Sequence, residues 1–304
     1  MHSMRSIISF STLILSTIFC FVISFRSSGG ADYSNYLNIY ESIDKNFSSY
    51  ALFIEPLQLI TMYFFKWTSL GFGLYNFTLS FLIIYFNYRI CTYYKLSYFF
   101  SNFVFFSVFF VPYTMNGLPQ GFAMALSYFI VLKYPSFIGR IVVGILVTFH
   151  KSAIFALLYP QNYRFKLFYL GIFVFIIFLF FLPRDLLPKY DFVGKLDLSD
   201  YIYRIYIFCV FLFVRFFVKG SSSTYDAGLF WLFSSILVLL SLHDHPIVAL
   251  RINMFMRYIE IFLMSLSLKL SKNSLKIVVL VALFPLYTAI GVNNFLHPTA
   301  QINF

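Results

Sequence analysis

The chain has 304 residues, 61% of them hydrophobic and 11% charged, and carries a formal net charge of +11. A soluble domain holds about 25% charged residues, so the composition excludes a water-soluble fold and describes a polytopic membrane protein. In that setting the positive balance is no mark of nucleic-acid binding, because Lys and Arg accumulate in cytoplasmic loops. Spans need about 20 mostly apolar residues, and such runs lie near 6–25, 51–67, 71–88, 97–115, 119–133, 137–160, 166–183, 202–218, 226–243, 247–268 and 275–292. They are too long and continuous for barrel strands. The expected fold is all-α: one helical membrane domain over 1–304 with about 9–11 transmembrane or re-entrant helices. The first run follows Arg5 as a signal peptide would, but it is long enough to span. Phe25-Arg26-Ser27-Ser28 is also a poor cleavage site, so the run reads as a retained helix. Cys20, Cys91 and Cys209 sit in apolar runs without CxxC spacing, as small buried hydrophobes do.

Basic residues set the orientation. Arg5, Arg89 with Lys95, Lys133 with Arg140, Arg215 with Lys219, and Lys269, Lys272 and Lys276 all favour the cytoplasm. Strict alternation through every run cannot satisfy them together. The conflict disappears if 51–67 and 137–160 are broken or re-entrant, and each has a polar interruption: Glu55-Pro56 in one, His150-Lys151-Ser152 in the other. The loops expected at 26–50 and 184–201, and the Arg251 end of the tenth run, then face outward.

The polar islands carry the chemistry. In 26–50, Gly29 and Gly30 permit positive φ just before Asp32; the stretch is either an ordinary turn or a device aiming Asp32 at the membrane surface. Glu55-Pro56 suits a helix start, yet an acid at membrane depth is a functional candidate by default. Asn116 and Gln120 flank Gly117-Leu118-Pro119; they form a turn, or hydrogen-bond a sugar hydroxyl. His150, midway along an apolar run beside Lys151, is the natural general base of the chain. The 184–201 stretch mixes Arg, Lys and Asp as a solvated connection does, and Arg204 enters the membrane from its end. His243-Asp244-His245 lacks a third ligand at a characteristic spacing, so no metal is expected there. In the 247–268 run, Arg251, Asn253 and Arg257 head an otherwise apolar stretch. A charge in the hydrocarbon costs about 2.5–3.5 kcal/mol. The two arginines are about 120° apart around a helix; their long stems either snorkel to head groups or converge on phosphate, which the planar guanidinium fork matches.

Taken together the islands resemble the EpsG-like/Wzy family of polysaccharide polymerases. The resemblance rests on Arg26, Gly29 or Gly30, Asp32, Tyr33 and Tyr36; on Glu55; on Met115-Asn116-Gly117-Leu118-Pro119-Gln120-Gly121-Phe122-Ala123; on His150-Lys151-Ser152-Ala153; and on Arg251 through Tyr258. Pro119 stands where family members commonly carry arginine. The resemblance implies a GT-C-like glycosyltransferase of the bacterial inner membrane, facing the periplasm and using neither metal nor cofactor. It would move a glycan from undecaprenyl pyrophosphate to a sugar hydroxyl of a second lipid-linked repeat unit during O-antigen or exopolysaccharide assembly, beside a flippase and a chain-length regulator. Arg251, Arg257 and Arg204 would take the pyrophosphate, with Asn253, Asn116, Gln120 and Arg26 as further binding residues. His150 would be the base, with Asp32 or Glu55 second. A lipid-linked oligosaccharide flippase and a membrane acyltransferase are the competing readings. The first tends to show internal repeats, and none is visible; the second would need an early His/Arg pairing, and the only early histidine is His2.

Overall fold

The computed structural model describes residues 2–26, 32–52, 54–134, 137–159, 198–218, 222–243 and 246–297. Among them every regular element is a helix and no strand occurs. That is the outcome the hydrocarbon imposes, since a helix satisfies its own backbone donors and acceptors. The expected span at 166–183 and the connection at 184–197 lie outside the described residues. The helices form two compact units, Met1–Leu157 with Ile290–Gln301, and Leu158–Ala289 with Ile302–Phe304.

In the first unit α1 (His2–Ser24) turns Ser16, Cys20 and Ser24 inward at a spacing of four and leaves Leu15, Phe21 and Val22 exposed. Small residues on the packed face let neighbours approach closely, and Ser16 accepts a hydrogen bond from Asn102 at 2.9 Å. The stretch expected as a loop at 26–50 is instead mostly helix, α2 (Tyr33–Tyr50). Tyr33, Tyr36, Tyr40, Ile43 and Phe47 recur at alternating steps of three and four, an amphipathic stripe hidden by the Asn, Ser, Glu and Asp between them. Tyr40 packs on Phe72 at 5.3 Å and Phe47 on Tyr63 at 5.3 Å.

The helix α3 (Pro56–Trp67) begins at the predicted Glu55-Pro56 interruption and runs 12 residues, about 18 Å at the helical rise and well short of a hydrocarbon core of about 30 Å. The helix α4 (Gly71–Tyr93) follows and packs most extensively on α6 (Leu118–Lys133). Between them α5 (Tyr98–Val104) passes into two wide π turns, Phe105–Phe109 and Val111–Asn116. The helix α7 (Phe137–Leu146) stops after 10 residues; the chain then makes a 3₁₀ turn at Lys151–Ala153 and the short α8 (Ile154–Leu157). Both predicted breaks, at 55–56 and at 150–152, are therefore present.

The second unit contains α9 (Leu198–Phe217), α10 (Ser223–Ser241), α11 (Pro246–Arg257) and α12 (Glu260–Leu270), and most of α13 (Asn273–Leu296). The end of the stretch expected as the second loop, from Leu198 on, is already helical. The helices α9 and α10 form a hairpin closed by Arg215, which forks onto both carboxylate oxygens of Asp226, and by the Ser222 cap on the Tyr225 amide at 3.3 Å. The predicted run 247–268 is broken at Tyr258–Ile259, where the amides of Ile261 and Phe262 bond three residues back, at 3.3 and 3.0 Å. Among the described residues α1, α10 and α13 are each long and apolar enough to cross a membrane alone.

Candidate functional site

Each unit gathers its own predicted residues. In the first, Arg26 donates from Nη2 to the Met115 carbonyl at 2.8 Å and from Nη1 to the Ile23 carbonyl at 3.0 Å. Its guanidinium lies 4.8 Å from the Tyr33 ring centre, and the Tyr33 hydroxyl donates to the Arg26 carbonyl at 2.7 Å. Burial pulls the Arg26 guanidinium below its ordinary value and the Tyr33 neighbour pushes the other way; at arginine's starting point the group stays a cation. Asp32 stands one residue earlier, at the start of α2. The opening island is thereby fastened to the third one, whose Asn116 is buried at the end of the second π turn.

That third island is built around close backbone approach. The Gly117 amide donates to the Pro112 carbonyl at 2.7 Å, and α6 then starts with Pro119 in its first turn, where its missing N–H costs nothing. Gln120 is half-buried, and its Oε1 lies beside Gly117. Gly121 faces Tyr113 so tightly that an added Cβ would lie 2.6 Å from the Tyr113 Cβ and 2.7 Å from its carbonyl oxygen.

Phe122 then meets Phe149 at 4.8 Å, which brings the His150 turn to the same place. His150 is half-buried, its carbonyl accepting from the Ala153 amide at 3.0 Å. The two broken runs abut there: the Leu57 amide donates to the Thr148 carbonyl at 3.0 Å, and the Lys151 amide makes a long 3.5 Å contact to Glu55 Oε1. A carboxylate at the start of a helical turn is favoured by the turn's dipole. Within the first unit, contacts thus join Arg26 to the Met115 carbonyl beside Asn116, and Glu55 to the Lys151 amide beside His150.

In the second unit the centre is the ring of Tyr203 on α9. Arg204 lies with its guanidinium carbon 4.5 Å from the centre of that ring, and Arg257 reaches it from α11 at 5.3 Å. Arg204 Nε donates to Asn253 Oδ1 at 3.0 Å, and Asn253 Nδ2 donates to the Ser235 carbonyl at 2.8 Å, so one amide ties α9, α11 and α10. Arg257 forks onto Glu260 through Nε to Oε1 and through Nη2 to Oε2 at 2.9 Å, and its Nη1 donates to the Tyr203 hydroxyl at 3.3 Å. The Tyr287 hydroxyl adds a donor to Glu260 Oε2 at 3.2 Å. Arg204, Asn253, Arg257 and Glu260 are all buried, whereas Arg251 is exposed. Of the predicted residues here, three are brought together and Arg251 stands apart from them.

The profile of the EpsG family matches residues 9–303. The chain belongs to the EpsG family. No curated protein and no solved structure matches it. Membership of the EpsG family supports a polysaccharide polymerase-type role in a membrane protein. In this EpsG-family chain, sequence reasoning missed Glu260, Tyr203 and Tyr287. Glu260 was visible as an acid inside an apolar run, the same signal that singled out Glu55. Tyr203 and Tyr287 had no signal among 24 tyrosines. Among the described residues no three His, Cys, Asp or Glu side chains group as a metal site would; Asp244 and His245 lie outside them.

Proposed function

We propose that this chain polymerises lipid-linked repeat units at the periplasmic face of the bacterial inner membrane, in O-antigen or exopolysaccharide assembly. The observation that carries the reading is the pair of buried arginines around Tyr203 in a chain of this family. Buried cations at membrane depth are costly and mark functional sites by default. In the reaction the acceptor hydroxyl gives its proton to a base and its oxygen attacks the anomeric carbon. The bond from that carbon to the pyrophosphate oxygen breaks, and the electron pair leaves with undecaprenyl pyrophosphate. Negative charge develops on the leaving group, and fixed guanidinium groups stabilise it without reorganising.

Arg204 takes the first place on pyrophosphate, because Asn253 and the Tyr203 ring fix its position. Arg251, exposed on α11, meets the charged carrier on its approach, and Arg257 acts from behind, being committed to Glu260. His150 is the base and Glu55 its neighbour across the junction of the two broken runs; Asp32 is the second acid. Asn116, Gln120 and Arg26 contribute to sugar and phosphate binding.

Glycans from a deletion strain test the reading. Loss of a polymerase leaves lipid A–core capped by a single repeat unit. Absence of any repeat would point to a flippase, and full-length chains of altered chemistry to an acyltransferase; either result overturns the proposal. Complementation with Arg204→Ala should restore insertion but lower chain extension about 100-fold, the usual cost of one charge-stabilising donor. His150→Ala should cost a comparable factor, within the range for a general base, and wild-type extension by that variant would move the base role to an acid.

A further inference from the structure

Glu260 is 0% exposed and its partner Arg257 is 3% exposed, so a full ion pair is kept out of water at the break between α11 and α12. Such a pair is a poor stabilising device. Desolvation offsets the attraction, and well-packed apolar residues of similar size commonly replace a buried pair without loss of stability. The break itself has neither proline nor glycine, only Tyr258 and Ile259. What the pair does accomplish is geometric. Each nitrogen of Arg257 is engaged, two with Glu260 and the third with the Tyr203 hydroxyl. The Tyr203 ring is thereby held from one side, and Arg204 rests on it. Tyr287 fixes the carboxylate from α13. Arg204 is fixed independently through Asn253, which is anchored on the Ser235 backbone.

We propose that Glu260 is a positioning residue: through Arg257 and the ring of Tyr203 it sets the plane in which Arg204 meets the pyrophosphate of the lipid-linked substrate. Arg257 is then part of the support and not itself a phosphate ligand. This rests on the polymerase reading given above. A bidentate phosphate contact depends on guanidinium orientation as much as on charge, so loosening the ring support weakens substrate binding more than it slows the chemical step.

The test uses the full-length protein in lipid nanodiscs, extending a purified undecaprenyl-pyrophosphate-linked repeat unit, with thermal unfolding measured on the same samples. The double variant Arg257→Met/Glu260→Met removes both charges at once. It should melt within a few degrees of wild type, while its KM for the lipid-linked unit rises about tenfold or more and kcat changes less. Glu260→Asp keeps the charge and should fall between the two. Tyr203→Leu leaves the ion pair in place but removes the ring, and should reproduce the rise in KM. A folded double variant with wild-type KM overturns the proposal. If the double variant does not fold, Tyr203→Leu decides: wild-type KM there overturns it equally. A wild-type protein that extends no chain overturns the polymerase reading and this inference with it. An active wild type with indifferent variants overturns the inference alone.

Discussion

Arginine and glycine show how differently single residues announce themselves. Arg204, Arg251 and Arg257 stand out in an apolar sequence because insertion scales penalise each by about 2.5–3.5 kcal/mol, and all three were candidates from the outset. The structure separates them by surroundings: Arg204 held by a neutral amide oxygen, Arg257 forked onto a carboxylate, Arg251 at the surface. Gly121 carries no such mark in the sequence beyond sitting in a turn-like island. Its role appears only in the 2.6 Å that a Cβ would leave to Tyr113. Both contacts there are to atoms near or on the backbone, so they cannot swing aside. Gly121→Ala should therefore destabilise the protein by about 1–3 kcal/mol, the usual cost of overpacking, read as a lowered thermal midpoint in detergent. An unchanged midpoint would show that α6 can shift away from the second π turn.

At the scale of elements, the breaks are where sequence and structure agree best. An acid followed by a proline in one apolar run, and a histidine, lysine and serine in another, predicted two interrupted helices. Both are there, and their ends touch through Leu57 and Thr148. The helix α2 was misread because counting polar residues hides a stripe of aromatics at helical spacing. The π turns were not legible at all, since one extra residue in a helical turn leaves no compositional trace. They have a packing consequence. The carbonyl of Ser107, inside the first of them, accepts from Asn294 Nδ2 at 2.8 Å, and Gly291 one turn earlier brings that end of α13 close enough for the contact. Asn294→Leu deletes the donor in a buried position. Interhelical hydrogen bonds in membranes average about 0.6 kcal/mol and reach about 1.7 kcal/mol, so a loss in that range is expected from reversible unfolding in mixed micelles. A larger loss would mean that the π turn itself collapses.

For the molecule as a whole, the Lys/Arg distribution makes an orientation testable on α10 alone. Ser223 and His243 lie at and just beyond its opposite ends, both exposed. In a background with Cys20, Cys91 and Cys209 replaced, His243→Cys should react with a membrane-impermeant maleimide in intact spheroplasts. Ser223→Cys, which follows Arg215 and Lys219 in the sequence, should react only after permeabilisation, as the positive-inside rule requires. The reverse pattern would place the Arg204 end of the second unit in the cytoplasm and remove the periplasmic reading.

Composition and the length of the apolar runs were enough, by themselves, to determine a helical membrane protein, because hydrocarbon leaves the backbone no other solution for segments of this kind. The isolated charged and polar islands were enough to nominate most candidate residues, because each is expensive where it sits. Which of them lie together was decided by tertiary structure. Glu260, three residues after Arg257, stood within its reach by helical spacing alone, whereas Tyr203 met Arg257 only once α9 and α11 lay side by side. A hydrogen bond or ring contact between separate helices depends on angles and distances between distant parts of the chain, and those are properties of packing that no local pattern encodes.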